Sequence, residues 1–384
     1  MGSVGVRPSA AVSAMLRRKR NEMGLTLREV SSRMEKQGES LPPSTLARIE
    51  TGKLDPGVRR LHLLLRLYDV APHLVADLVE LESLAIEKPP QGDLETLYRN
   101  GIDHWKKGNI PQGIAHLLAV REHIADDPDS KLLRQKASLS FAITARNLGK
   151  FRLAKQIVED LLCEPPDPSL TVRVFVVAAS TWRGLGAVDA AVAFVQYAAE
   201  RLRMSDPRER AWVQHQAAKI LLDAGRPEDA RRALELALDH YRDLRDTYGE
   251  TGASLLRVRL LENAGHIDAA IEAVQQVVDL AREHGHERLV MAARLRHGEL
   301  IVASGEPETG LEVLRECLGL SILHGDRNSE FHAHYHLWKA YEAIGDRDRA
   351  GLELRTAKHR VQHIDEITPE ASEVLGLSSE RGAP

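Results

Sequence analysis

The sequence predicts an all-α protein: a small five-helix N-terminal domain followed by a long α-solenoid. Three observations carry that expectation. Glycines recur at Gly108, Gly149, Gly186, Gly225, Gly265, Gly305 and Gly345, 37 to 41 residues apart, a spacing that fits stacked helix pairs. Between them the apolar residues follow helical spacing. Hydrophobic residues make up 43% of the chain but aromatics only 4%, so the core must be built mainly from Leu, Ala, Val and Ile.

The 384 residues correspond to about two to three domains. No apolar run reaches the ~20 residues of a membrane helix, and the N-terminus lacks the apolar core and cleavage site of a signal peptide. Two cysteines, Cys163 and Cys317, cannot form a disulfide framework or a four-thiolate zinc site. A cytoplasmic protein without a membrane role is expected. The net charge of −4 is unevenly divided. Residues 1–70 carry 13 Lys/Arg against 7 Asp/Glu, which leaves 39 cations against 49 acids for the rest. A basic module on an acidic body is the asymmetry of a nucleic-acid-reading head on a body that does not touch nucleic acid; a solvated basic helix gives the same pattern.

In the head, Ser9 can cap a first helix over Ala10–Met23, ended by Gly24. Thr26 opens a second, and Glu29 three residues on completes a capping box. Leu27, Val30 and Met34 form its apolar stripe. Asp55 and Pro56 supply a cap and a first-turn proline for a helix near Gly57–Tyr68. Between these lies Ser44-Thr45-Leu46-Ala47-Arg48-Ile49-Glu50-Thr51-Gly52-Lys53, with Leu46 and Ile49 expected inward and Ser44, Thr45 and Arg48 outward.

That run, with Leu16-Arg17 in the first helix, Gly24–Val30 at the second and Asp55-Pro56 after it, resembles the Xre, or lambda-repressor-type, helix-turn-helix family. The resemblance implies a helix docked in the major groove of double-stranded operator DNA. Arg48 would read guanine, and Arg17, Thr26, Arg28, Ser44, Thr45 and Lys53 would contact bases or phosphates. Two departures stand out. The turn over Glu35–Ser40 is about five residues longer than the family norm, and Pro42-Pro43 remove two backbone N–H groups at the start of the recognition helix.

The repeats run over about residues 93–365, after a Pro-rich joint over 86–92 and before a tail or capping segment over 366–384; the head occupies 1–85. Each glycine ends one helix and begins a tight turn, because it carries no Cβ penalty at positive φ. Five residues later stands Gly113, Ala154, Ala191, Ala230, Ala270, Gly310 or Ala350, small enough for close helix packing. Nine residues later stands an aliphatic one: Leu117, Val158, Val195, Leu234, Val274, Leu314 or Leu354. The pattern resembles the tetratricopeptide repeat, which implies a right-handed solenoid of about seven helix pairs. In that family the inward positions of the first helices hold the ligand. Here these include Arg146, Asn147, Arg183, His215, Lys219, Arg259 and Asn263, with Tyr335 and Lys339 further along. Asn can pair both groups of an extended backbone, and Arg and Lys can hold carboxylates; an ordinary solvated groove is the competing account.

Other constellations are weak. His332 and His336 are one helical turn apart, a metal-ligand spacing, but His334 is expected elsewhere and no carboxylate or Cys is expected to complete a set nearby. His284 and His286 form a loop pair. Cys317 falls at a helix-packing position and reads as inert core. No phosphate-binding loop, zincin motif or Ser/His/Asp set is present, so neither an enzyme nor a cofactor is expected. Head and body in this order resemble peptide-responsive quorum-sensing regulators. The expectation is a homodimeric transcription regulator that binds operator DNA and senses a peptide or protein segment in the groove. The alternative is a scaffold or adaptor acting by protein–protein contact alone.

Overall fold

The computed structural model describes residues 9–85, 91–124, 129–202, 206–365 and 368–376. Among them every regular element is a helix. The head contains α1 (Ala10–Glu22), α2 (Leu27–Lys36), α3 (Pro43–Glu50), α4 (Gly57–Leu67) and α5 (Pro72–Leu84). Ser9 caps α1 by accepting from the Val12 N–H at 3.1 Å. Thr26 and Glu29 close both arms of the capping box at α2. At α4 the expected cap is displaced by one residue. Pro56 is the N-cap and Gly57, at φ +71°, begins the helix; the Asp55 carboxylate instead accepts from the Gly57 N–H at 2.7 Å. Leu16, Val30, Met34, Leu46, Ile49 and Leu64 are fully buried between the helices, each side chain contributing about 1.5–3 kcal/mol through its removal from water.

The body alternates first and second helices: α6 (Leu94–Lys106) with α7 (Ile110–His123), α8 (Lys131–Asn147) with α9 (Phe151–Cys163), α10 (Thr171–Gly184) with α11 (Val188–Glu200), and α12 (Pro207–Asp223) with α13 (Pro227–Asp243). The series continues through α14 (Thr247–Asn263) with α15 (Ile267–Glu283), α16 (Glu287–Ala303) with α17 (Pro307–His324), and α18 (Arg327–Ala343) with α19 (Arg347–Arg360). A 3₁₀ turn over Val361–His363 and a short α20 (Pro369–Leu375) follow. Every glycine of the repeat signature has φ between +71° and +95°, the left-handed conformation the turn needs. The small residues five positions on are buried, as are the aliphatics nine on, except half-buried Leu354. At Gly310 a Cβ would lie 3.2 Å from the Gly298 carbonyl of the preceding helix, so the small side chain sets how closely the pair packs.

Residues 86–90 of the Pro-rich joint, and the last residues of the tail, lie outside the described residues. The head does not rest on the joint alone. Its core continues into the first pairs: Leu74, Leu78 and Leu81 belong to one buried cluster with Ile114, Leu117 and Ile157. Ion pairs reinforce the seam. Asp160 of α9 binds both Arg18 and Lys19 at 2.9 Å. Lys150, 4% exposed, reaches Asp77 at 3.1 Å and Glu80 at 2.7 Å. Glu80 also pairs with Arg327 at 2.8 Å, and the Lys150 ammonium donates to the His363 carbonyl at 2.6 Å.

The solenoid bends far enough for its ends to meet. The Arg288 guanidinium of α16 lies over the Trp105 ring of α6, 4.9 Å from its centroid. The Asp365 N–H donates to the Gly149 carbonyl at 2.6 Å, and Ile364 covers Gly149 so closely that a Cβ there would stand 2.6 Å from its side chain.

Candidate DNA-reading surface and inner groove

The recognition helix is fixed from behind. Arg20 of α1 donates to both carboxylate oxygens of Glu50, at 2.8–3.1 Å, and to the Leu25 carbonyl at 2.8 Å. Glu50 is 5% exposed. Hydrogen bonding to it holds the Arg20 guanidinium in its charged form. A buried, bidentate pair of this kind sets orientation as well as position, so the last turn of α3 is pinned to α1 and to the turn before α2. The sequence reading missed this pair; its members are thirty residues apart, and only Glu50 lies in the quoted run. With Leu46 and Ile49 inward, Ser44 and Arg48 are exposed and Thr45 is half-buried. Lys53 is exposed, and its backbone N–H bonds the Arg48 carbonyl at 2.8 Å, which holds it one turn beyond Arg48.

The other expected DNA contacts are placed differently. Arg28 is exposed on α2. The Thr26 hydroxyl is committed to its cap, accepting from the Glu29 N–H at 3.2 Å and donating to the Glu29 carboxylate at 2.8 Å. Arg17 is exposed at the rim of a cavity of about 500 Å³ between α1, α5, α7 and α9. Thr51 and Gly52, just past the end of the recognition helix, line the same cavity.

On the inner face of the solenoid, successive first helices are joined by a ladder of ion pairs. Asp223 of α12 accepts from Arg183 of α10 at 2.6 Å and from Arg259 of α14 at 2.7 Å. Glu262 pairs with Arg296 at 3.2 Å, and Arg296 also reaches Glu299 at 2.8 Å. Tyr335 and Lys339, at inward positions of α18, both donate to Glu373 of α20, at 2.5 and 2.6 Å. The cations therefore do not stand as bare ligand hooks. Arg183, Arg259 and Arg296 are held by acids of the neighbouring repeat, and Lys339 by Glu373 of α20.

Two zones follow along this face. Arg183 and Arg259 gather on the Asp223 carboxylate, and Lys219 lies within the field of both, of Arg146 and of Asp223. Burial, helped by the three arginines and opposed by Asp223, pushes the Lys219 ammonium down to about 7. His215, pushed down to about 3 by burial with Lys219 adding, is a neutral imidazole edge-on to Tyr241. Arg146 donates to the Asn147 side-chain carbonyl at 3.2 Å, and Asn263 is exposed at the end of α14. Beyond Arg259 the acids dominate. Burial raises the Glu299 carboxyl to about 7, and His336, 3.7 Å from it, is pushed down to about 3 by burial, with His332, Arg296 and Lys339 adding.

The structure corrects the reading of His332 and His336 on one point. A carboxylate does complete their set: Glu370, delivered by α20, places its oxygen within 4.8 Å of both imidazoles. His334 does point elsewhere, to Glu353 at 2.6 Å. Cys317 is buried, with its thiol pushed up to about 12 by burial, while Cys163 is exposed. No described helix is long and apolar enough to cross a membrane.

Residues 11–78 match the family model described as a helix-turn-helix domain. The N-terminal domain is a helix-turn-helix, and the body has a tetratricopeptide-like solenoid fold. Among solved structures, the chain is similar to a Rap protein complexed with Competence and Sporulation Factor, at 13% identity and a TM-score of 0.57, over 70% of this chain and 76% of that one. It also matches Bacillus thuringiensis PlcR in complex with the peptide PapR7 and DNA, at 11% identity and a TM-score of 0.48, over 84% of this chain and 99% of that one. No curated protein matches.

Proposed function

We propose that the chain is a transcription regulator, not an enzyme, that binds operator DNA through α3 and senses an extended peptide or flexible protein segment on the inner face of its solenoid. The observation that carries the first half is the outward row of exposed Ser44 and Arg48 with half-buried Thr45, on a helix whose opposite side is pinned by Arg20 and Glu50. A rigid helix with Arg on its outer face suits bidentate reading of guanine in the major groove. One helix reads few base pairs, so a homodimer on a two-fold operator is the fitting assembly, with half-sites about 10 base pairs apart or a multiple of that.

The second half rests on the cation zone. Neighbouring helices pack ~8–10 Å apart and an extended strand rises ~3.3 Å per residue, so a bound strand would meet a new first helix every two to three residues. Lys219 has Arg146, Arg183 and Arg259 around it with Asp223 as the opposing acid, which leaves the zone positive and suits carboxylates on that strand.

The deciding experiment is a mobility shift of the full chain on the DNA upstream of its own gene. A retarded complex that Arg48→Ala weakens supports the regulator. Absence of any shift at low salt would favour the adaptor alternative. For the groove, Asn147→Ala combined with Asn263→Ala should abolish the regulatory response in cells while operator binding by the purified protein stays intact. An unchanged response would remove the groove from the sensing role.

A further inference from the structure

The acidic end of the inner face carries an arrangement that peptide sensing does not use. α18 presents His332 and His336 one turn apart, and α20 runs beside it with Glu370 in its first turn. The register of the two helices is fixed by an independent contact. Glu373 bonds Tyr335 and Lys339, which lie 38 and 34 residues before it. Glu370 stands at the same separations from His332 and His336, one turn earlier on both helices. Glu370 is thereby brought opposite the two imidazoles as Glu373 is brought opposite the phenol and the ammonium, with the donor atoms of the three side chains within 4.8 Å of one another, an arrangement that a cation could bridge.

We propose that His332, His336 and Glu370 form a site for one divalent transition-metal ion of the zinc type, which fastens α20 to α18. The donor atoms lie within 4.8 Å of one another. Zinc takes nitrogen and carboxylate oxygen at about 2.0–2.2 Å, so small side-chain rotations close the set around one ion. Two imidazoles favour zinc-like ions over magnesium or calcium, which prefer all-oxygen shells. Glu299 of α16, 3.7 Å from the His336 Nε2 atom, is placed to supply the fourth ligand or to orient a water. The local charge suits a dication. Glu262, Glu299, Glu370 and Glu373 face Arg296 and Lys339, already paired with three of them, and Arg259, which is bonded to Asp223; Glu370 has no ion pair among the described residues.

The site would act as a clasp on the terminal cap. Between α19 and α20 run Ile364 and Asp365, which dock on Gly149 and Arg152, beside the Lys150 that holds Glu80 of the head. A metal holding α20 would steady that whole strap.

The test is zinc binding by the full chain after EDTA treatment, read by competition with a chromophoric chelator and by thermal melting with zinc chloride or magnesium chloride. Expected are one zinc per chain, a higher melting temperature with zinc and none with magnesium. His332→Ala and Glu370→Gln should each weaken zinc at least tenfold and abolish the zinc-dependent rise. Both should melt like the wild type in EDTA, which separates lost binding from lost folding; should Glu370→Gln fail this control, His332→Ala on the rigid α18 decides alone. His284→Ala with His286→Ala should leave binding unchanged. Failure of the full chain to take up zinc, undiminished binding by both site variants, or loss only in the His284/His286 variant would overturn the assignment.

Discussion

At the scale of single residues, Arg48 and Lys53 should separate base reading from phosphate contact. Arg48→Ala is expected to cost about 1–3 kcal/mol and to relax preference at one base position. Lys53→Ala should weaken all sequences alike and lower the salt slope by about one. Titrations on matched and mutated sites at several salt concentrations distinguish the two, and equal, sequence-independent losses would refute the assignment. Lys219 gives a second case. Its ammonium is pushed down to about 7 from 10.5 by burial, with Arg146, Arg183 and Arg259 around it. Between those values the unfolded chain holds a proton that the folded chain has released, so stability rises with pH across that window. Lys219→Met should therefore raise the melting temperature most at pH 6 to 7, and the gap from wild type should shrink towards pH 10. A gap that does not change with pH would show that the lysine stays charged. Neither Asp223 nor the depressed lysine was legible in the motif reading, because both depend on which repeat faces which. A search for acids 34 to 40 residues from each inward cation would have found Asp223.

At the scale of elements, the repeat was legible because its demands are local. A left-handed turn needs glycine, a close helix crossing needs a small side chain, and both recur in phase with the fold. The recognition helix was legible for the same reason: Leu46 and Ile49 are buried and Ser44 and Arg48 exposed, as helical spacing requires. The cap of α4 was misplaced because Asp55-Pro56 satisfies the usual pattern one residue before the helix starts. Gly184 shows a demand invisible in spacing. It ends α10 within the helix, and a Cβ there would overlap the Phe151 ring of α9. Alanine gains up to about 1 kcal/mol in helix propensity, but overpacking costs about 1–3 kcal/mol, and Phe151 is too buried to yield freely. Gly184→Ala should lower stability by about 1–2 kcal/mol in urea titration; an unchanged midpoint would mean that α9 and α10 can slide apart.

At the scale of the whole molecule, Lys150 ties the head to the body. It neutralises Asp77 and Glu80 of α5 while donating to the His363 carbonyl. Burial already raises the Asp77 carboxyl, with Lys150 opposing that shift. Lys150→Met leaves the buried Asp77 without its cation, while Glu80 keeps Arg327, and breaking a buried pair costs about 3–5 kcal/mol. The expected result is a lower melting temperature, faster proteolysis between head and body, and altered operator affinity without any change to α3. Unaltered melting and proteolysis would show that the apolar seam alone holds the head. None of this seam could be read from the sequence. Glu80, Lys150, Arg327 and His363 meet because of the pitch of the solenoid, which is set by small rotations summed over all the intervening pairs.

The contact between α6 and α16, with Arg288 laid over Trp105, changes what kind of object the repeat array is. In an open array each unit leans only on its neighbours, stability accumulates unit by unit, and evolution can lengthen or shorten the chain at little cost. A ring-like turn removes that freedom. Inserting or deleting one pair would rotate α16 away from α6 and carry the C-terminal strap away from Gly149, so the number of repeats becomes a fixed property of the architecture. The same closure makes unfolding collective: a unit cannot fray from either end without first parting a junction made of residues remote in the chain.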